Sequence, residues 1–362
     1  MKNNYLYSVT DKALFDALNQ HKITNNHLSD MLLCRGVIVS KYTDKKTLAK
    51  SFCLYHHDYY DHQKIADVLG VAPRKEKTTS SFIKNEDDKD DIYDFWSAAE
   101  SLKDGIISNN DQCNIYKKGD SIIIDITYST LHYDKSDFNQ VVKKTSQIEI
   151  IKGNDCYTIR RPDNEQFENY MEILLSNLKD DNNIDKTEIN LFNVPDPELR
   201  SKFFDKFIKS IPNFNLRDVS DVFVYNPNTI FNDGDEIDSS EYPEIRKVSL
   251  KGKSVLDSTE LKSFFENGFY IWKIRWTLEE DLPDPDIYEF EAQFSNMIDF
   301  TEFSYISKGY WKYKGQQQYN KTKSQLDSTK NSFFLSLFEK SALKSMNDIK
   351  EMYQGVEENE LS

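Results

Sequence analysis

The chain has 362 residues, 38% of them hydrophobic, with 23 Phe and 21 Tyr, enough apolar bulk for two or three folded domains and too much for a disordered chain. No run of eighteen apolar residues occurs and Met1-Lys2-Asn3-Asn4 opens no apolar stretch, so the expectation is a cytoplasmic protein with no membrane partner. The net charge of −15 alone argues against a general nucleic-acid binder, but residues 1–84 carry 13 Lys/Arg against 8 Asp/Glu (net +5) and the rest carry 33 against 53 (net −20), a basic head on an acidic body.

Residues 1–84 read as a helical module. Leu28 and Leu32 fall one turn apart, and Arg35-Gly36 follows, where glycine can take the left-handed conformation that ends a helix. Val37–Ser40 reads as extended. Thr43 is placed to cap a second helix, whose Leu48 and Phe52 pack back on the first. This run of about 25 residues resembles the SAP domain and its relatives, which join two short helices by an extended loop. It departs from them at Ser40, where the family often has glycine, and in its longer loop. The resemblance implies binding of double-stranded DNA through backbone amides and lysines of the second helix. By position it points to Arg35, Lys41, Lys45, Lys46 and Lys50.

A second pattern follows. His62–Val71 looks like the first helix and turn of a helix-turn-helix, with Ala66 at the helix approach and Gly70 in the turn. Pro73 and Glu76 spoil the recognition helix, and only Phe82 and Ile83 restore apolar character. Arg74, Lys75 and Lys77 could still meet phosphates. Thr78-Thr79-Ser80-Ser81 reads as a polar linker or exposed loop, leading to an acidic linker over 85–91.

Beyond it the expectation is α+β: mixed or antiparallel sheet domains with flanking helices, one over 92–225 and a mainly β domain over 226–354. Ile122, Ile124, Ile126 and Tyr128 alternate as a half-buried strand, and a hairpin is expected around Lys152-Gly153-Asn154-Asp155. Phe167–Leu178 and Leu199–Ile211 carry apolar residues at helical spacing, the second opened by Asp196-Pro197. Ile189 and Leu191 suggest a short strand between them. Tyr270–Trp276 and Tyr288–Phe294 alternate as strands, the latter with Glu289, Glu291 and Gln293 on a face expected to be wet. A helix over Ser324–Leu343 closes the fold, and 355–362 is an acidic tail expected to fray.

Catalytic signatures are scarce. His57/Asp61 and Asp58/His62 have the i, i+4 spacing of metal ligands but lack a third donor set, and the surrounding tyrosines suit a packed corner equally well. Glu260-Leu-Lys262 has a nuclease-like pattern in a helical context, and Asn232–Glu236 resembles a calcium loop only in acidity. Lys308–Lys314 interleaves lysines with aromatics, as single-strand binders do and as edge strands also do. The four cysteines form no CxxC pair, which argues against a disulfide framework or thiolate zinc site. No cofactor is expected. The sequence suggests a non-catalytic DNA-binding adaptor or sensor subunit of a bacterial system acting on DNA, such as phage defence, whose acidic body docks onto protein partners. The alternative is a metal-dependent nuclease with an unrecognised active site.

Overall fold

A computed structural model describes residues 9–70, 75–84, 94–108, 111–153, 156–178, 185–227 and 245–360. Arg74, the acidic run from Glu86 to Asp91 and the Asn232–Glu236 segment lie outside them. The chain forms two compact units. The first comprises Met1–Lys75, Tyr93–Glu149 and Tyr170–Leu178; the second comprises Glu76–Ile92, Ile150–Asn169 and Lys179–Ser362. Both are discontinuous in sequence, unlike the linear head, middle and last third expected.

The described residues begin with four short helices, α1 (Asp11–Leu18), α2 (Asn25–Leu33), α3 (Lys45–Phe52) and α4 (Tyr59–Leu69). All four start alike. Thr10, Thr24, Asp44 and Asp58 each accept a hydrogen bond from the backbone N–H three residues on, satisfying a donor that the first turn leaves open. Leu18, Leu28, Leu32, Leu48, Phe52, Ile65 and Leu69 form their common core, and Phe138, from a short 3₁₀ turn at Asp137–Asn139, completes it. Next come β1 (Thr78–Lys84), which belongs to the second unit, and α5 (Phe95–Ser108). Strands β2 (Gln112–Lys118), β3 (Ser121–Leu131) and β4 (Val141–Lys152) neighbour one another in that order, with Ile124, Ile126 and Tyr128 buried as their alternation requires.

The main elements that follow are β5 (Cys156–Pro162), α6 (Glu165–Asn177), β6 (Lys186–Glu188), α7 (Pro197–Lys209), β7 (Phe214–Tyr225), β8 (Lys247–Lys251), α8 (Thr259–Glu266), β9 (Tyr270–Glu280), β10 (Ile287–Asn296), β11 (Thr301–Trp311), the small ribbon of β12 (Tyr313–Gly315) with β13 (Gln318–Tyr319), and α9 (Ser328–Glu360). The second unit's strands run in the order β5-β1-β11-β10-β9-β7-β8, antiparallel, with β6 also on β1. The protein is therefore α+β, with helices flanking antiparallel sheet. Asp196 caps α7 and Pro197 opens it, as expected. Helices α7 and α9 cover one sheet face through rings: Phe207 meets Trp276 edge-on at 5.5 Å, and Phe290 meets Phe338 at 4.7 Å.

Several expectations need correction. Thr78–Ser81 is no linker; it is the start of the interior strand β1, and Phe82 and Ile83 are buried strand residues rather than part of a recognition helix. Polar residues survive there because each finds a partner. The Thr79 hydroxyl donates to the Phe303 carbonyl, Ser80 bonds Tyr305 and Glu339, and Ser81 meets Glu188 and Arg161. The face of β10 expected to be wet is closed as well: Glu291 is 4% exposed and Glu289 is buried. The last helix starts at Ser328 and continues past Gly355 to Glu360.

The most buried ionic group of the second unit joins α9 to the sheet. Arg160 on β5 holds Glu339 through two parallel bonds, Nε to Oε1 at 2.6 Å and an Nη to Oε2 at 2.8 Å. Ser80 and Tyr305 also donate to the same carboxylate at 2.7 and 3.0 Å, and Ser332 and Ser336 each receive a further guanidinium proton. Such a pair offsets its desolvation only when the fork geometry is good and the other lone pairs are satisfied. Both conditions hold. Glu291 is held likewise by Lys273 at 2.9 Å, Arg275 at 2.9 Å and Lys77 at 3.6 Å.

Burial pushes the Glu291 carboxyl up, but hydrogen bonds from Arg275 and Lys273 outweigh it and hold its pKa at about 2. Because the folded value lies below the ordinary one, its stabilisation is complete above that value and lost as pH falls toward about 2. Urea melts across that range should show Glu291→Gln losing less stability on acidification than the parent; equal losses would contradict the assignment. Phe203→Ala should cost about 3–5 kcal/mol, since the ring is fully buried against Phe204, Phe207, Phe294 and Phe303. A near-neutral denaturation midpoint would show that this face is not the core.

Candidate nucleic-acid interface

Helix α2 ends where its sequence says it must. Gly36 sits at φ +76°, its N–H donates to Leu33 O at 2.8 Å, and the Val37 N–H donates to Leu32 O at 3.0 Å. Residues with side chains would be strained there, so the glycine sets the exit direction of the chain. Val37 and Val39 then pack against the helical core while Ile38 points out. A tight turn follows: the Thr43 N–H donates to Ser40 O at 3.1 Å and the Tyr42 N–H to Ser40 Oγ at 3.3 Å. Asn25 Nδ2 fixes the far side of the turn by donating to Thr43 O at 3.2 Å. Helix α3 begins at Lys45, capped by Asp44 rather than Thr43. The hydroxyl and amide of Thr47 stabilise the Asp44 carboxylate and lower its pKa.

The structure divides the eight expected contact residues. Arg35 is drawn into the module: its guanidinium pairs with Asp61, lies 3.2 Å from His57 Nδ1, and stacks over the rings of Phe52 and Tyr55 at 5.2 and 5.4 Å. Lys45 Nζ donates to the carbonyls of Asn19 and Gln20 at 3.1 and 2.6 Å, closing the C-terminus of α1, and burial lowers its pKa. Lys77 lies in the second unit against Glu291, where burial and then Lys273 lower its pKa. Lys75 is exposed, and Arg74 lies outside the described residues. Lys41, Lys46 and Lys50 are exposed, and Lys46 and Lys50 stand one turn apart on α3 while Leu48, Ala49 and Phe52 face the core. With Lys75, four of the eight stay exposed, and Lys41, Lys46 and Lys50 are the ones grouped around the start of α3.

The histidine cluster is a packed corner. Asp61 is shared between Arg35 and His57, His57 Nε2 lies 2.9 Å from Phe52 O, and the His62 ring stacks on Phe138 at 4.2 Å. Among the described residues no group of three or more His, Cys, Asp or Glu side chains is placed to hold a metal ion. Glu260 and Lys262 lie on α8. In the Lys308–Lys314 run the rings take lysines of the same chain: Lys330 stands 5.5 Å from the centre of Tyr310, and Lys323 stands 5.1 Å from that of Trp311.

Two features had gone unread in the sequence. Lys22 donates to the carbonyls of Leu69 and Gly70 at 3.0 and 2.8 Å, tying the end of α4 to the α1–α2 connection; nothing local marks a lysine for such a role. Ile38 and Tyr42 are 86% and 98% exposed. For Ile38 a signal existed, since Val37 and Val39 flank it in an extended run whose faces must alternate. No protein-family model matches the chain, and no curated protein matches its sequence. No described helix is long and apolar enough to cross a membrane.

Arg35→Ala removes an ion pair and two ring contacts, so it should destabilise the first unit by about 1–3 kcal/mol in chemical denaturation. An unchanged stability would return Arg35 to the list of free surface cations. Leu48→Asp should unfold the four helices outright, because it places an unpaired charge in their core.

Proposed function

We propose that the chain is a non-catalytic DNA-binding adaptor or sensor subunit whose helical head holds the phosphate backbone of double-stranded DNA through Lys41, Lys46 and Lys50. The observation that carries this reading is the exposure of these three lysines, neighbours in sequence around the start of α3, while Lys45 and Arg35 beside them serve packing. Lysine–phosphate contacts position a protein on duplex without reading bases, so sequence preference should be slight. The contact differs from what the SAP-like resemblance implies. The Asp44 carboxylate occupies the Thr47 amide, one of the open amides of the first turn of α3, and the lysine side chains are assigned the larger share of the contact.

The acidic remainder repels a polyanion, which favours protein partners with basic surfaces for the second unit. A basic DNA-contacting head on an acidic docking body suits one subunit of a bacterial assembly acting on DNA, phage defence among them, working in the cytoplasm.

The test uses full-length protein and a labelled duplex in magnesium. Lys46→Glu with Lys50→Glu should weaken binding tenfold or more, about 1.4 kcal/mol, with the helical signal and melting temperature retained. The duplex should remain intact. Undiminished binding by the folded double variant would overturn the lysine assignment. Cutting of the duplex would replace the adaptor with the nuclease.

A further inference from the structure

Large apolar side chains on a short, well-braced loop are normally turned inward, since each gains stability by leaving water. Ile38 and Tyr42 do the opposite at 86% and 98% exposure. Their backbone is held at both ends. Val37 and Val39 anchor the extended run to the core, the Ser40–Thr43 turn is closed by two hydrogen bonds to Ser40, and Asn25 holds Thr43. Tyr42 is thus presented on a fixed turn, next in sequence to the exposed Lys41 and shortly before Lys46.

An aromatic ring beside free lysines on a pre-formed loop has the chemistry of a base-stacking element: the ring takes the face of a nucleobase and the cations take the flanking phosphates. An exposed branched aliphatic nearby can wedge against a step that is already open. We propose that Tyr42, supported by Ile38, stacks on an unpaired base, so that the head prefers DNA with a bulge, gap or single-stranded stretch over intact duplex. This rests on the lysine–backbone reading above and narrows it to a substrate class. A protein partner for the same loop is the competing occupant, and the same experiment separates them.

The experiment measures binding of the full chain to three labelled probes of equal length: an intact duplex, the same duplex with a single-base bulge, and a single strand. The parent should favour the bulged or single-stranded probe by several-fold. Tyr42→Ala should lower affinity for those two by about tenfold and leave the intact duplex nearly unchanged, while Tyr42→Phe keeps the preference because stacking needs the ring and not the hydroxyl. So exposed a side chain should not affect folding, which an unchanged melting temperature checks. Equal affinity of Tyr42→Ala and parent for every probe, with the double lysine variant still weakened, would overturn base stacking and leave the backbone reading standing, with the loop free for a protein. If the lysine variant also binds as the parent does, both readings fall.

Discussion

Taking a cation out of water costs several kcal/mol unless the fold supplies a partner at bonding distance, and the architecture of this protein turns on meeting that cost at site after site. Arg160 is buried because Glu339 receives its fork and four hydroxyls complete the group, and this is how α9 is fastened to β5, β1 and β11. Arg200, also buried, is held by the carbonyls of Val194 and Ile298 and the Tyr270 hydroxyl, between the rings of Tyr270 and Phe300. Arg35 finds Asp61, and Lys22 and Lys45 find open carbonyls at helix ends. The same rule sorts structure from function in the head. Cations with internal partners are part of the fold; Lys41, Lys46 and Lys50, left exposed, are the ones proposed to meet a polyanion.

The rule also bears on where the chain's acidic groups go. Glu291 and Asp221 sit against Lys77, Lys273 and Arg275, so part of the second unit's acidity is neutralised internally. The helical core adds a further constraint. Phe138 contributes to it from well beyond the four helices, stacking on His62, and burial lowers the pKa of that imidazole. The head is therefore not a bead on a linker. Its stability draws on residues of the Tyr93–Glu149 segment, which is why binding is best measured on the full chain.

Elements whose cause is local were legible in the sequence. The Asp196-Pro197 start of α7, the Gly36 exit from α2, the alternation of β3 and β9, and the buried stripe of Phe203 and Phe207 all follow from period and capping. What could not be read depends on partners distant in sequence. A run of Thr and Ser looks like a linker until Tyr305, Glu339 and Arg161 arrive to bond it, and alternating glutamates look wet until Lys273, Arg275 and Lys323 pair with them. The candidate interface shows the same division. Position along α3 was enough to expect Lys46 and Lys50 at the surface, but nothing local distinguished them from Lys45, whose partners lie some 25 residues away at the end of α1.

In the proposed mode of binding a few lysine–phosphate contacts, and not the acidic body, bring this protein to DNA. The salt dependence of binding tests it most directly, since each phosphate neutralised on duplex adds about −0.9 to the slope of log K against log salt. Three lysines predict a slope of about −2 to −3 for the parent, falling toward zero when Lys41, Lys46 and Lys50 are all replaced by glutamine. A slope near zero in the parent, or one that the triple replacement leaves unchanged, would contradict the account.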